Sequence, residues 1–408
     1  MMKLTTLANG LKVATRTMAG AETAAVSLHA EIGSRHEPAR INGIAHLFEH
    51  MVFKGAGDRN AREISEAIED VGGELNAATD RDSTVFTASV LPEYVALGLE
   101  LISDMIQKPH FAANDLEREK DVVLQELGEA RDTPNDIIFD DLHMAAFAEQ
   151  PLGRSVLGDE ASIDAITLAD LHEWREGRYR AGNLCLVAAG KVDHDRLADL
   201  AEAMFGSLPA GEIDAPELAR FTGGNRVGRG HGDQAHLALG FVAPALFDDQ
   251  AYAARLFADI AGGGASSRLF QQLREERGLA YTVWASFQPW RDCGLVSVYA
   301  ATAQSQSAPA AQLVEQVLTD TAATATEREL ARVKTQAKAA LLMWLESPWG
   351  QANYLARQVA TYGRLVEPSE IVARIDAVTL EQVRAAGANM LKGPRARATI
   401  GFPAVRAA

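Results

Sequence analysis

The chain reads as an α+β protein made of two diverged copies of one unit of roughly 200 residues. Three observations lead there. Its 408 residues exceed what one hydrophobic core organises. Strand-like runs alternate with amphipathic helical runs along its whole length. The order of those runs in the second half repeats the first: "AVSLHAEIG" against "AHLALGFVA", "GIAHLFEHMVFKG" against "GGGASSRLFQQLREERG", and "HDRLADLAEAMF" against "AAQLVEQVLTDTA".

Taken in order, residues 11 to 32 read as two strands, and a very apolar helix follows in "GIAHLFEHMVF". "NAREISEAIEDVGG", residues 60 to 73, has the amphipathic pattern of a helix closed by glycine. In "ELNAATDRDSTVFTASVL", Val85, Phe86 and Thr87 favour extended structure. Helices are expected from about 92 to 107, from 114 to 131 and from 194 to 208, with a short buried strand in "NLCLVAAGKVD". Prolines, glycines and scattered charge mark 211–228 as a linker, dividing a domain of residues 1–210 from one of 229–408. Beyond it "QAHLALGFVAP", "YTVWASF" and "GLVSVYA" read as strands, and "YAARLFADIAGG" and "SSRLFQQLREERG" as helices.

Composition narrows the function. A net charge of −16 disfavours nucleic acid, whose phosphates want a basic patch. It suits a soluble surface, or an acidic cavity that attracts basic peptides. No apolar run approaches the length of a membrane span. The start, "MMKLTTLANGLKVATRT", alternates like a strand and lacks the apolar core of a signal peptide, so a cytoplasmic protein is expected. The two cysteines, Cys185 and Cys293, fit neither a disulfide framework nor zinc-knuckle spacing.

The apolar helix poses the functional question. Ile44, Leu47, Phe48, Met51, Val52 and Phe53 surround His46, Glu49 and His50. Titratable groups in such a setting are costly without partners. His46 and His50, four apart on one helical face, can bind a single metal. Glu49 then stands beside the metal, where it can take a proton from a polarised water. The H-x-x-E-H order is the inverted zinc-peptidase motif. Two histidines buried in a core, one paired with the glutamate, would be the structural alternative.

A third ligand is sought in "NDLEREKDVVLQELGEAR", residues 114 to 131. Its apolar stripe runs Leu116, Val123, Leu127, Ala130, and Glu119 and Glu126 fall inside that stripe. Two inward carboxylates two turns apart need a cation or protons. Their meeting with the two imidazoles around a divalent cation is the simplest arrangement, with Glu129, at the stripe's edge, as the fallback ligand.

With these residues in view, the chain resembles the pitrilysin and insulin-degrading-enzyme family of zinc peptidases, in particular the short-chain branch that includes mitochondrial processing peptidase. That family places its ligand glutamate about 76 residues after the second histidine, which here selects Glu126 over Glu129. It carries another glutamate seven residues earlier, here Glu119, that orients a ligand. "GELNAATDRDSTVF" resembles the family's substrate-pairing edge strand around Asn76, Ala77 and Ala78, which implies β-augmentation. Asp82 stands where many relatives have glutamate. "LREERGLAYTV" resembles the family's Arg-x6-Tyr pair, here Arg274 and Tyr281, and "GGGASSRL" its glycine-rich stretch.

The resemblance implies two α/β-sandwich domains, each an antiparallel sheet covered by helices, forming half of a clamshell. It implies one Zn2+ per chain on His46, His50 and Glu126, with manganese or cobalt also compatible with that donor set. Glu49 is then the general base and acid, and Arg274 and Tyr281 hold substrate carbonyls or the oxyanion. The expected activity is endopeptidase cleavage of unfolded peptides in a dimeric chamber. A homodimer is favoured because one chain carries both the metal motif and the Arg/Tyr pair. The alternatives are a processing peptidase removing a leader from specific precursors, a non-catalytic peptide-binding subunit of a heterodimer, and a hydrolase of another bond.

Overall fold

The computed structural model describes residues 1–228 and 233–402. The first part of the chain holds β1 (Met2–Thr6), β2 (Lys12–Thr17), β3 (Ala24–Ala30), α1 (Ile44–Val52), the short β4 (Gly55–Ala56) and β5 (Arg59–Asn60), α2 (Ala61–Glu69), and the hairpin β6 (Glu74–Thr79) and β7 (Thr84–Val90). Then come α3 (Val95–Gln107), α4 (Ala113–Asp132), α5 (Pro134–Ala146), α6 (Glu160–Asp164), α7 (Leu168–Arg178), β8 (Leu184–Gly190) and α8 (His194–Phe205). The second part holds β9 (Gly224–Gly228), β10 (Gln234–Ala243), α9 (Ala251–Gly262), the hairpin β11 (Thr282–Pro289) and β12 (Gly294–Ala303), and α10 (Ser307–Thr324). It closes with α11 (Glu327–Trp344), α12 (Pro348–Tyr362), α13 (Pro368–Ala377), α14 (Leu380–Lys392) and β13 (Arg395–Ile400).

The strands form two large sheets, ordered β1-β2-β8-β3-β7-β6 and β11-β12-β10-β13-β9. Position by position, β6, β7, β3, β8 and β2 of the first match β11, β12, β10, β13 and β9 of the second. The match extends to direction. Only β2 with β8 and β13 with β9 run parallel, and the other neighbours are antiparallel. The two-copy architecture is therefore present in the hydrogen bonding of the sheets.

That register corrects two of the segment pairings suggested by sequence order. Helix α1 follows β3 as α9 follows β10, so "GIAHLFEHMVFKG" corresponds to "YAARLFADIAGG", not to the glycine-rich segment. Helix α10 follows β12 as α3 follows β7, so "HDRLADLAEAMF" is not its counterpart. Amphipathic helices look alike in sequence, and only strand neighbours tell them apart. The helix expected in "SSRLFQQLREERG" is present as a π-helical turn, Phe270–Glu275. The stretch expected to be a linker ends in β9, which pairs with β13. The expected second domain begins at residue 229, the first of the internal stretch 229–232 that lies outside the described residues.

Contacts divide the chain into two units. The first comprises residues 1–127, 155–217 and 341–367, and the second 128–154, 218–340 and 368–408. Each takes one helix from the other half of the sequence. In the first, α12 packs on β8, β3 and β2; in the second, α5 packs on β13, β10 and β9. This exchange covers the second face of each sheet, and it explains the continuous apolar run of β8. Leu184, Leu186 and Ala188 join one core with α1 and α3, while Cys185, Val187 and Ala189 join another with Leu355 and Val359 of α12. No helix among the described residues is long and apolar enough to cross a membrane.

Candidate active site

Helix α1 buries Ile44, Ala45, Leu47, Phe48, Met51 and Val52, leaving His46, Glu49 and His50 as its one partly open stripe. Phe48 fixes the opposite side, stacked on Tyr179 at 4.8 Å and edge-on to Phe111 at 5.7 Å. The start of the helix is held by a residue the sequence reading did not single out. Buried Glu37 accepts from the backbone N–H of Gly43 at 2.7 Å and of Ala45 at 2.8 Å, and from Asn42 Nδ2 at 2.6 Å. A carboxylate at a helix N-terminus satisfies free N–H groups and complements the dipole. Gly43 has φ +96, and a Cβ there would lie 2.9 Å from Leu157 O, so the helix entry requires glycine.

Helix α4 brings its carboxylates to this stripe. Its buried residues are Leu116, Glu119, Val123 and Leu127, as the stripe requires. Glu126 Oε2 lies 3.8 Å from His46 Nε2 and 3.8 Å from His50 Nε2. The imidazole rings are 4.6 Å apart. One ligand atom from each of His46, His50 and Glu126 falls within 4.8 Å of the others, and among the described residues this is the one such group. Glu129 is exposed and outside it.

The donor set fits a divalent zinc-like cation. Ligands about 2.0–2.1 Å from one tetrahedral ion sit roughly 3.4 Å apart, so the two Glu126–histidine distances are within a few tenths of an ångström of closed values. Burial, with the His50 ring beside it, pushes His46 down to about 4, so its imidazole is neutral and has a lone pair to offer near neutral pH. Three protein donors leave an open position, the pattern of catalytic rather than structural sites.

Glu119 turns its two oxygens to different partners. Oε2 is 3.1 Å from His50 Nδ1, and Oε1 is 2.8 Å from Lys54 Nζ. Glu49 Oε2 accepts the Thr79 hydroxyl at 2.6 Å. Burial raises the Glu49 pKa above the ordinary carboxylate value, and the Thr79 hydrogen bond works against that rise. Lys54 and Thr79 were also passed over in sequence. The signals were a cation just past α1, and a hydroxyl one residue beyond "NAA".

Strand β6 is the sheet edge, with Glu74, Asn76 and Ala78 exposed. Asn76 Oδ1 accepts the N–H of Ala77 at 2.9 Å. The hairpin tip is anchored to the segment before α1. Ser34 N donates to Asp80 O at 3.2 Å, Arg35 N to Arg81 O at 3.0 Å, and buried Arg35 pairs with Asp82 at 3.0 Å. Asp82 thus has a partner that its sequence context did not reveal. Arg274 and Tyr281 belong to the other unit. Arg274 is exposed, with its guanidinium 4.8 Å from the Phe270 ring, and Tyr281 is 62% exposed.

The chain is similar to known proteins over most of its length. Residues 12–160 match the description "Insulinase (Peptidase family M16)", and residues 165–337 match "Peptidase M16 inactive domain". An uncharacterized zinc protease of Rickettsia felis is 34% identical, over 92% of this chain and 92% of its own. One from Mycobacterium tuberculosis is 35% identical, over 97% of this chain and 92% of its own. In fold, a protease from Helicobacter pylori superposes with a TM-score of 0.90 at 21% identity, covering 99% of both chains.

Proposed function

The chain belongs to the insulinase family of peptidases, M16, and on that premise we propose that it is a zinc-dependent endopeptidase of unfolded peptides. The observation that carries this is the convergence of His46, His50 and Glu126 within 4.8 Å, on the stripe of α1 that also presents Glu49. His46, His50 and Glu126 would hold one Zn2+ per chain; the relatives are named zinc proteases. Zinc so held supplies Lewis acidity to a water and to the scissile carbonyl.

The remaining steps fall to the chain's own residues. Glu49, one residue from a ligand and with its pKa raised by burial, takes the proton of the attacking water and later delivers one to the leaving amine. Thr79 holds that carboxylate toward the site. Glu119 positions the His50 ring. Edge strand β6 offers the backbone of Asn76, Ala77 and Ala78 to an extended peptide, which explains a preference for unfolded substrates. Arg274 and Tyr281, both exposed, donate to substrate carbonyls and to the developing oxyanion. They act across a homodimer interface, each subunit's pair serving the other's site. Cys185 and Cys293 are buried and not joined in a disulfide, in keeping with a cytoplasmic location.

The test is cleavage of a mixed peptide pool read by mass spectrometry, with zinc-loaded protein, with chelator and with Glu49→Gln. Cleavage abolished by both treatments is expected. Cleavage that survives chelation, or none by zinc-loaded protein, would overturn the reading.

A further inference from the structure

We infer that Lys54 is a positioning residue of the metal site, acting through Glu119 on His50; the inference rests on the function proposed above. Lys54 sits two residues past the end of α1, and its ammonium lies 2.8 Å from Glu119 Oε1. Glu119, its side chain only 8% exposed, comes from α4 and turns its other oxygen to His50 Nδ1 at 3.1 Å. The two ends of this chain of contacts thus lie on adjacent turns of one segment, with a carboxylate from a second helix clamped between them.

The chemistry of the donors gives the clamp a direction. An ammonium only donates, so the Glu119 oxygen facing Lys54 must accept. With that oxygen engaged, the carboxylate cannot rotate away from the His50 ring. The second oxygen accepts from His50 Nδ1–H, which places the hydrogen on Nδ1 and leaves the lone pair on Nε2. That Nε2 is the atom 3.8 Å from Glu126. His46 has no comparable support, since its Nδ1 is buried without a hydrogen-bond partner among the described residues. The orientation of the donor set therefore depends on the His50 side, and through Glu119 on Lys54. A cation at the C-terminal end of α1 is also favoured by the helix dipole, which keeps Lys54 near its place.

The experiment measures zinc affinity by competition with a chromogenic chelator, alongside thermal melting of the metal-free protein, for Lys54→Met, Lys54→Gln, Lys54→Arg and Glu119→Gln. Glu119→Gln should weaken zinc binding by about 10- to 100-fold, and Lys54→Met by about tenfold. Lys54→Arg should restore most of the affinity, and Lys54→Gln, which keeps a donor, should fall between. Should Lys54→Met fold poorly, the comparison of Lys54→Gln with Lys54→Arg decides. A Lys54→Met protein that melts lower but binds zinc as wild type does would overturn the inference, reducing Lys54 to an ordinary ion pair. Wild-type zinc affinity in Glu119→Gln would overturn it too, by removing its route. Neither of those results touches the assignment as a zinc endopeptidase, which fails separately if wild type binds no zinc or cleaves no peptide.

Discussion

The Thr79 hydroxyl donates to Glu49 Oε2 at 2.6 Å, so a residue of the edge strand β6 holds the carboxylate that α1 presents. Strand and helix are thereby tied at the proposed reaction centre. A peptide that pairs with β6 docks against the element that aims the base.

Thr79→Val should shift the acid limb of kcat/KM upward. Burial raises the Glu49 pKa and the Thr79 hydrogen bond lowers it, so losing the hydroxyl raises it further. A general base works ionised, and its activity disappears as pH falls through its pKa. The limb should therefore move to higher pH. A pH profile superimposable on wild type would show that Thr79 does not hold the ionised form.

Glu49→Gln should lower kcat by about 10²- to 10⁴-fold, the usual worth of a positioned acid–base group. Bound zinc, measured by elemental analysis, should be unchanged, because Glu49 is not one of the three donors. Loss of zinc along with activity would instead make Glu49 a ligand.

Mixing Glu49→Gln with Tyr281→Phe subunits tests the composite site. If Tyr281 serves the partner's metal site, a mixed dimer regains one intact site, and an exchanged equimolar mixture recovers about a quarter of wild-type activity. If Tyr281 serves its own subunit, mixing recovers nothing.

Glu37→Ala should destabilise the fold by about 2 kcal/mol, because it leaves the buried N–H groups of Gly43 and Ala45 without their acceptor at a helix N-terminus. Chemical denaturation of the metal-free protein reads this directly. Gly43→Ala should also destabilise, since φ +96 and the approach of Leu157 O leave no room for a Cβ.

The candidate donors stood out in sequence because each element showed its conflict locally. In α1 three polar residues interrupt an apolar helix at helical spacing. In α4 Glu119 and Glu126 interrupt an apolar stripe, and the structure places Glu126 against both imidazoles. The supporting residues carried no such conflict. Lys54 looks like any surface lysine, Thr79 like any strand residue, and Glu37 like a loop acid.

By itself the sequence marked many of the strand and helix segments, the doubling of the unit, and His46, His50, Glu119 and Glu126 as polar groups in apolar settings, since periodicity and buried polarity are local properties of the chain. Tertiary structure alone decided which segments correspond between the copies, because correspondence lies in strand neighbours. It alone decided the exchange of α5 and α12, because either helix offers an apolar stripe that could cover either sheet. It alone joined Lys54 to Glu119 and Thr79 to Glu49, because those contacts depend on where α4 and β6 meet α1, and no spacing along the chain encodes that meeting.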